Sequence, residues 1–300
     1  MELTSQDFAQ KAVSPFMELG AYEALWDIQN ASFKSIAAKF AKSVGAIPSD
    51  FVERPKAVRY ANEVHGRLKD AGILNYGVRV HGAGDYPDRL RIAEHPIELL
   101  YFQGWWELVN SPRSVAVVGT RKPSDEGLSR TRNLVKALLQ DDFTIVSGLA
   151  AGVDAEAHTT AIEQGGRTIA ILGTPLSKSY PATNAKLQKF IAEHHLLISQ
   201  VPVMRYANQV NPTSNNYFFP ERNITMSALT DATIIVEAGE TSGTLVQARH
   251  ALKQGKKVFI LDSNFRKPEL SWPKTYEERG AIRVTDYDDI RRQLIPVSTH

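Results

Sequence analysis

No cysteine occurs among the 300 residues of the chain. Disulfides, thiol nucleophiles and cysteine-ligated zinc or iron–sulfur centres are therefore excluded. No apolar run approaches the length that spans a bilayer. The opening, MELTSQDFAQK, has acidic and polar residues where a secretion signal needs a basic and then an apolar stretch. A cytoplasmic protein with no membrane association is the expectation. An excess of one charge is lacking too: 35 Lys and Arg face 33 Asp and Glu, a formal net charge of +2. Any nucleic-acid binding must then come from a local basic patch and not from a global field. Metal-ligand spacing is also missing. His158 and His250 are far apart, and His194 and His195 are adjacent on a predicted helix, where their side chains diverge. No metal and no cofactor is expected.

What is present is an ordinary globular composition, 43% hydrophobic and 23% charged, long enough for a large domain and a smaller one. Residues 1–76 read as a small helical domain. Phe33, Ile36, Phe40 and Val44 recur at helical spacing with Lys34, Lys39 and Lys42 on other faces, and a further helix is predicted over Val58–Leu68. A bridging segment opens with a strand at Gly77–His81 and turns at Tyr86-Pro87 and His95-Pro96. Its Trp105 and Trp106 are expected to cover apolar surface. Residues 77–300 form the second domain, with a motif core over 114–262. Strands are predicted at Ser114–Val118, Thr144–Ser147, Thr168–Leu172, Leu196–Ser199, Ala232–Glu237, Lys257–Leu261 and Ile282–Val284. Helices fall between them at Leu128–Gln140, Ala155–Gln164, Asn184–His194 and Gly243–Gln254. Short apolar strands alternating with amphipathic helices predict an α/β fold: a Rossmann-like, mainly parallel sheet with helices on both faces.

Ligands of such sheets bind at the carboxyl ends of the strands. Five strand ends here carry Gly, Ser, Thr, Asn or Arg. They are Gly119, Thr120, Arg121 and Ser124; Ser147, Gly148 and Gly152; Gly173 with Lys178 in the loop behind it; Phe219, Arg222 and Asn223; and Ser242, Gly243 and Thr244. Glycines admit a close ligand, helix N-termini offer free N–H groups, and the two arginines supply charge-assisted donors. The convergence predicts a phosphate site. Each piece also has a structural reading. Ser242 and Thr244 suit a helix cap, Asp154 suits either a cap or a functional role, His158 suits either a packed helix position or a functional role, and Arg222 suits an ion pair. The loop after the first core strand lacks the Lys and Ser/Thr of a P-loop. The dinucleotide fingerprint is absent, and the second strand ends in Ser147-Gly148 where that fold needs an acid. A nucleic-acid backbone or an unusual nucleotide remains.

The stretches GTRKPS, SGLAAGVDAEAH, GGRTIAILGTPLSKSYPATN, FPERN and VEAGETSGTLVQARHALKQGKKVF occur in this order. They resemble the DprA/Smf (DNA-processing protein A) family, and DYPDRLRIAEHPIELLYFQG resembles the segment before its core. The resemblance runs from Gly77 to Leu261. It implies an extended Rossmann-like fold, single-stranded DNA binding without catalysis, homodimers, and loading of a RecA-type recombinase during natural transformation. By position it implies that Gly119, Thr120 and Arg121 hold backbone phosphate. Gly148–Gly152 and Gly173 would form backbone nests, Phe219, Arg222 and Asn223 would line a strand channel, and Ser242–Thr244 would close the site. Lys178 is a candidate DNA contact. Tyr217, Phe218, Phe219 and Tyr180 are candidate base stackers, with packing the preferred reading for Tyr180.

Departures are Ile224, where the family commonly has a further arginine, and Gln200, where it often has an acid after the fourth core strand. The helical N-terminus does not match the family's usual first domain, and no winged helix is expected after Leu294. These leave open a specialised relative that partners a toxin or serves anti-phage defence. A nucleotide sensor or phosphoribohydrolase is a further alternative. It is disfavoured because Gln247 stands where that chemistry needs a carboxylate.

Overall fold

The computed structural model describes residues 13–295 except 92, 94, 210 and 211. The first residues, read above for the absence of a leader, and the last five lie outside the described residues. The chain divides into two compact units. One comprises residues up to Gly104 with Leu172–Ser179 and Leu197–Phe219, and the other comprises Trp105–Ile171, Tyr180–Leu196 and the chain from Pro220 onward.

In the first unit, α1 (Pro15–Trp26) starts where Ser14 accepts the Met17 N–H and Pro15 supplies a preset φ. Its residues from Glu18 to Trp26 are buried. A capping box of Ser32 and Ser35 starts α2 (Phe33–Phe40). The helix stops at Phe40, so Val44 stands in a turn and is 77% exposed, contrary to the helical spacing that included it. α3 (Arg54–Asp70) packs on α1 at Gly20, where any Cβ would strike the Ala57 carbonyl. β1 (Gly77–Val80) pairs antiparallel with β2 (Leu99–Gly104), a strand that the turn signals around it conceal in the sequence. β6 (Leu196–Ser199) follows β2 in the sheet. Phe218 is 1% exposed and packs with Trp26, Phe33, Tyr206 and Tyr217. It is a core residue and not a base stacker.

Glu23 lies fully buried in this unit. It accepts hydrogen bonds from the Tyr101 hydroxyl, Val203 N–H (2.7 Å) and Met204 N–H (3.0 Å). Burial pushes its carboxyl up to about 7, although these donors oppose the rise. The folded chain thus holds a proton that the unfolded chain has released. Stability is expected to fall between about pH 4.5 and 7, by at most ~1.4 kcal/mol per pH unit from this group. Urea midpoints across that range should fall less steeply in Glu23→Gln. The same slope in the variant would assign the dependence to other groups.

The second unit is a parallel sheet in the order β5-β4-β3-β7-β8-β9. The strands are β3 (Ser114–Val118), β4 (Thr144–Ser147), β5 (Thr168–Leu172), β7 (Ala232–Ile235), β8 (Lys257–Leu261) and β9 (Ile282–Val284). Five match the expected bounds, and β7 ends two residues early so that Glu237 opens a loop. Between them run α4 (Asp125–Gln140), α5 (Val153–Glu163), α6 (Ala185–His194), α7 (Phe218–Leu229, from Pro220), α8 (Thr244–Lys253), α9 (Trp272–Glu278) and, last, α10 (Tyr287–Leu294). Val115 and Val117 of β3 face a core with Leu134, Val135 and Leu138 of α4 and Val153, Ala157 and Ala161 of α5. Alternation turns Ala116 and Val118 to the opposite face, and both are buried too. The chain runs from β3 toward β4 and β5 on one side, and from β7 toward β8 and β9 on the other. The order therefore reverses between β3 and β7, the place where open α/β sheets leave a crevice at their carboxyl ends. Trp106 is buried as expected, whereas Trp105 is 61% exposed.

Candidate functional site

The loops after β3 and β7 meet at this reversal. Thr120 N–H donates to the Glu237 carbonyl at 2.7 Å, and the Thr120 carbonyl accepts from Val153 N–H at the start of α5. Thr120 Oγ1 accepts Lys122 N–H at 3.2 Å and closes a tight turn. Arg121 and Lys122 are exposed on this turn. The Arg121 guanidinium lies 5.8 Å from the centre of the Tyr180 ring. Tyr180 is 45% exposed, so it does not serve the packing role preferred from sequence.

Ser124 caps α4 by accepting Gly127 N–H at 3.0 Å, and its hydroxyl donates to Glu237 Oε2 at 2.9 Å. Lys267 Nζ bonds the other carboxylate oxygen at 2.7 Å. Burial resists the Glu237 charge, but the bonds from Lys267 and Ser124 outweigh it and hold the carboxyl below its ordinary range. Glu237 is thus an ionised brace under the loop. In the sequence it stands only as the expected last residue of a strand.

The loop after β4 is bound from beneath. Ser147 is fully buried and its hydroxyl donates to the Val117 carbonyl at 2.7 Å. Arg222, 5% exposed, donates from Nη1 to the carbonyls of Gly148 and Ile171 (2.7 Å for the latter). Its Nε donates to Asn223 Oδ1 at 2.8 Å. Burial lowers the Arg222 pKa, Asp154 counters that, and Arg121 adds to it. Asp154 is raised by burial and restrained by Arg222 and by the Ala150 N–H. Ser147 and Arg222 therefore sit below the loop and not on its outer surface. Gly148 lies so close over the guanidinium that a Cβ there would strike it. Gly152 has φ +79°, and a Cβ on it would meet the Thr120 carbonyl and Pro123 Cδ. Leu149, although not glycine, also has positive φ, +60°. Asn184 Nδ2 donates to the carbonyls of Leu149 (3.0 Å) and Ala150 (3.2 Å) and holds that conformation.

The turn before α8 completes the group. Ser242 Oγ accepts Thr244 N–H at 3.2 Å, Thr244 Oγ1 donates to the Gly119 carbonyl at 3.2 Å, and Asn223 Nδ2 donates to the Gly243 carbonyl at 3.2 Å. Gly119, Thr120, Arg121, Ser124, Ser147, Gly148, Gly152, Arg222, Asn223, Ser242, Gly243 and Thr244 are thus joined by direct bonds or contacts within the second unit. Gly173, Lys178 and Phe219 belong to the first unit. There the Phe219 ring covers buried Gly173, and Lys178 is exposed on a loop whose carbonyl accepts from Thr174 Oγ1. His158 is fully buried with Nδ1 2.7 Å from Thr168 Oγ1, and burial chiefly pushes its pKa down to about 3. It is neutral and packed. Gln247 is 1% exposed and donates to Thr233 Oγ1 at 3.3 Å. Among the described residues no group of His, Asp and Glu is arranged to hold a metal ion, and no helix is long and apolar enough to cross a membrane.

Comparison with known proteins adds to this geometry. The family model described as DNA recombination-mediator protein A matches residues 77–295. DNA processing protein DprA of Bacillus subtilis is 32% identical over 70% of this chain and 68% of its own length. The Streptococcus pneumoniae DprA is 36% identical over 68% of this chain and 70% of its own. Protein Smf of Synechocystis is 39% identical, but the match spans 47% of that longer protein. The crystal structure of the Streptococcus pneumoniae DprA superposes with a TM-score of 0.67 at 24% identity, over 99% of this chain and 100% of that one. DNA processing protein A of Helicobacter pylori, whose structure gave insight into a unique single-stranded DNA binding mode, has a TM-score of 0.63 at 27% identity. That match covers 74% of this chain and 96% of the other. The motifs after β3, β4 and β7, the parallel sheet that carries them and these similarities agree: the chain belongs to the DNA recombination-mediator protein A (DprA/Smf) family.

Proposed function

We propose that this protein binds single-stranded DNA without chemically altering it. The observation that carries the reading is the turn after β3, which holds Arg121 outward beside the exposed Tyr180 ring. A cation for phosphate next to a flat aromatic face for a base is the combination that single strands require. Gly119 and Thr120 place that turn, and Gly148, Gly152, Asn223 and Ser242–Thr244 shape the surface around it. Ser147 and Arg222 act from beneath by holding carbonyls. Lys178 and Phe219 are further candidate contacts. Family membership and the single-strand binding described for the Helicobacter pylori relative support the assignment. Self-association as a homodimer and handover of DNA to a RecA-type recombinase belong to the same proposal. N-glycosidic hydrolysis is not proposed, since the buried Gln247 amide is bonded to Thr233 and supplies no carboxylate.

Equilibrium binding to fluorescent poly-dT and to duplex of equal length, across a salt series, tests the proposal. Tighter binding to the single strand with steep salt dependence is expected. Arg121→Ala should weaken it about tenfold and reduce the magnitude of the log–log salt slope by about 0.7, the value of one phosphate contact on a single strand. An unchanged slope would remove Arg121 from the interface. Absence of binding at low salt would overturn the function.

A further inference from the structure

Among the described residues of the second unit, three large hydrophobic side chains stand open to solvent: Trp105 (61% exposed), Tyr180 (45%) and Phe190 (40%). All three are aromatic, and no large aliphatic side chain of that unit is exposed to the same degree. Tyr180 is the ring beside Arg121. Asn184, at the N-cap of α6, holds the carbonyls of Leu149 and Ala150 in the loop after β4. α6 therefore starts at the candidate DNA surface and carries the chain away from it. Residues four apart on a helix lie one above the other. Lys186, Phe190 and His194 form such a line, about 12 Å long, and all three are exposed. The Phe190 ring centre is 4.5 Å from that of His194 and 6.1 Å from that of His195. Trp105 is fastened beside the end of the line, where its N–H donates to the His195 carbonyl at 2.8 Å. Lys189 and Glu193 occupy the adjoining line and offset each other at 3.8 Å, so Lys186 sets the charge of the first.

We infer that this line extends the single-strand interface: a strand held at Arg121 and Tyr180 continues down α6, sets a phosphate against Lys186 and lays bases on Phe190 and Trp105. The inference rests on the single-strand reading given above. Flat rings spaced along a cationic track serve a strand of any sequence, because every base has a π-face. A duplex keeps its bases stacked inside and offers them to neither ring, so the line also favours single over double strand. A protein partner would instead call for a contiguous apolar centre, and here Lys186 and the two histidines separate the rings.

Fluorescent oligo-dT of about sixteen nucleotides, titrated into the full chain, tests the inference. Trp105→Leu and Phe190→Ala remove exposed rings and should each weaken binding about fivefold or more, whereas Trp105→Phe keeps a flat ring and should bind within about twofold of the unaltered protein. Lys186→Ala should reduce the magnitude of the log–log salt slope by about 0.7. Trp26, Trp106 and Trp272 are buried, so quenching of tryptophan emission by unlabelled oligo-dT should report Trp105 and should be lost in Trp105→Phe although the affinity remains. Unchanged affinity in either Trp105→Leu or Phe190→Ala, with binding still dependent on Arg121, would overturn the line and leave the DNA function standing. Absence of any binding by the unaltered protein would remove both. A change of sedimentation in Trp105→Leu without a change of DNA affinity would assign the ring to a second copy of the chain and overturn the line as well.

Discussion

Arg222→Ala should lower the stability of the fold by about 3–5 kcal/mol, because it leaves two buried carbonyls without their donor and removes the positive charge that acts on buried Asp154. Burial raises the Asp154 pKa, and Arg222 is first among the groups that oppose the rise. The carbonyls are those of Gly148 and Ile171. Urea unfolding measures the loss. Arg222→Ala combined with Asp154→Asn should recover part of it, since the uncompensated charge is gone, and the double-mutant cycle should report a coupling well above 1 kcal/mol. Arg222→Lys should not rescue, as one ammonium lacks the planar fork that reaches Asn223 and two carbonyls at once. Poly-dT affinity should fall with the loop geometry, but the salt slope of the folded fraction should stay that of the unaltered protein. A slope reduced as in Arg121→Ala would mean that Arg222 touches phosphate directly. A stability unchanged by Arg222→Ala would refute the brace.

The second large effect is expected at Gly152. Its backbone has φ +79° and ψ −126°, a region nearly closed to residues with a Cβ. Gly152→Ala adds backbone strain of about 1–3 kcal/mol and a clash with the Thr120 carbonyl and with Pro123 Cδ at 2.7 Å. Relief requires the β3 loop to move away from α5, which breaks the Val153 N–H to Thr120 carbonyl bond at 3.2 Å. Poly-dT affinity should drop about tenfold or more as Arg121 is displaced, an effect of at least ~1.4 kcal/mol. Gly165→Ala is the matched control. Gly165 also has positive φ, +70°, but a Cβ there meets nothing within 4 Å. It should cost about 1 kcal/mol of stability and leave DNA affinity alone. Equal loss of DNA affinity in the two variants would show that the Gly152 contact has no special bearing on the surface.

The core strands were legible because they are short apolar runs, those of β3, β4 and β5 each followed by glycine, and a parallel sheet buried on both faces writes itself into sequence that way. β3, Ser114–Val118, is the plainest case, with all five residues buried. β2 was not legible. Leu99–Gly104 lies between Pro96 and the Trp105–Trp106 pair, and its pairing with β1, a strand expected from the sequence, is set by long-range register and not by any local pattern. The loops of the site could be named from glycine and arginine at strand ends, but their vertical order could not. Arg121 and Arg222 look alike in sequence. One is exposed on a turn and the other is buried among carbonyls, and that difference rests on long-range bonds to Gly148 and Ile171. The aromatic residues divided for the same reason. Phe218 enters a cluster with Trp26 and Phe33, far away in the chain, while Tyr180 stays in the open beside Arg121.

Leu149 carries a consequence of its own. It is fully buried, yet its φ is +60°, a conformation that a leucine seldom keeps by itself. Asn184 holds the carbonyls of Leu149 and Ala150, and Arg222 holds that of Gly148, so the loop is ordered by folding and not by its ligand. For a strand of DNA meeting this surface, the protein would contribute almost no ordering entropy to the encounter. The enthalpy and heat capacity of binding would then report mainly the unstacking of the bases themselves. In calorimetry, poly-dT, whose thymines stack weakly, should show a smaller temperature dependence of the binding enthalpy than poly-dA of the same length.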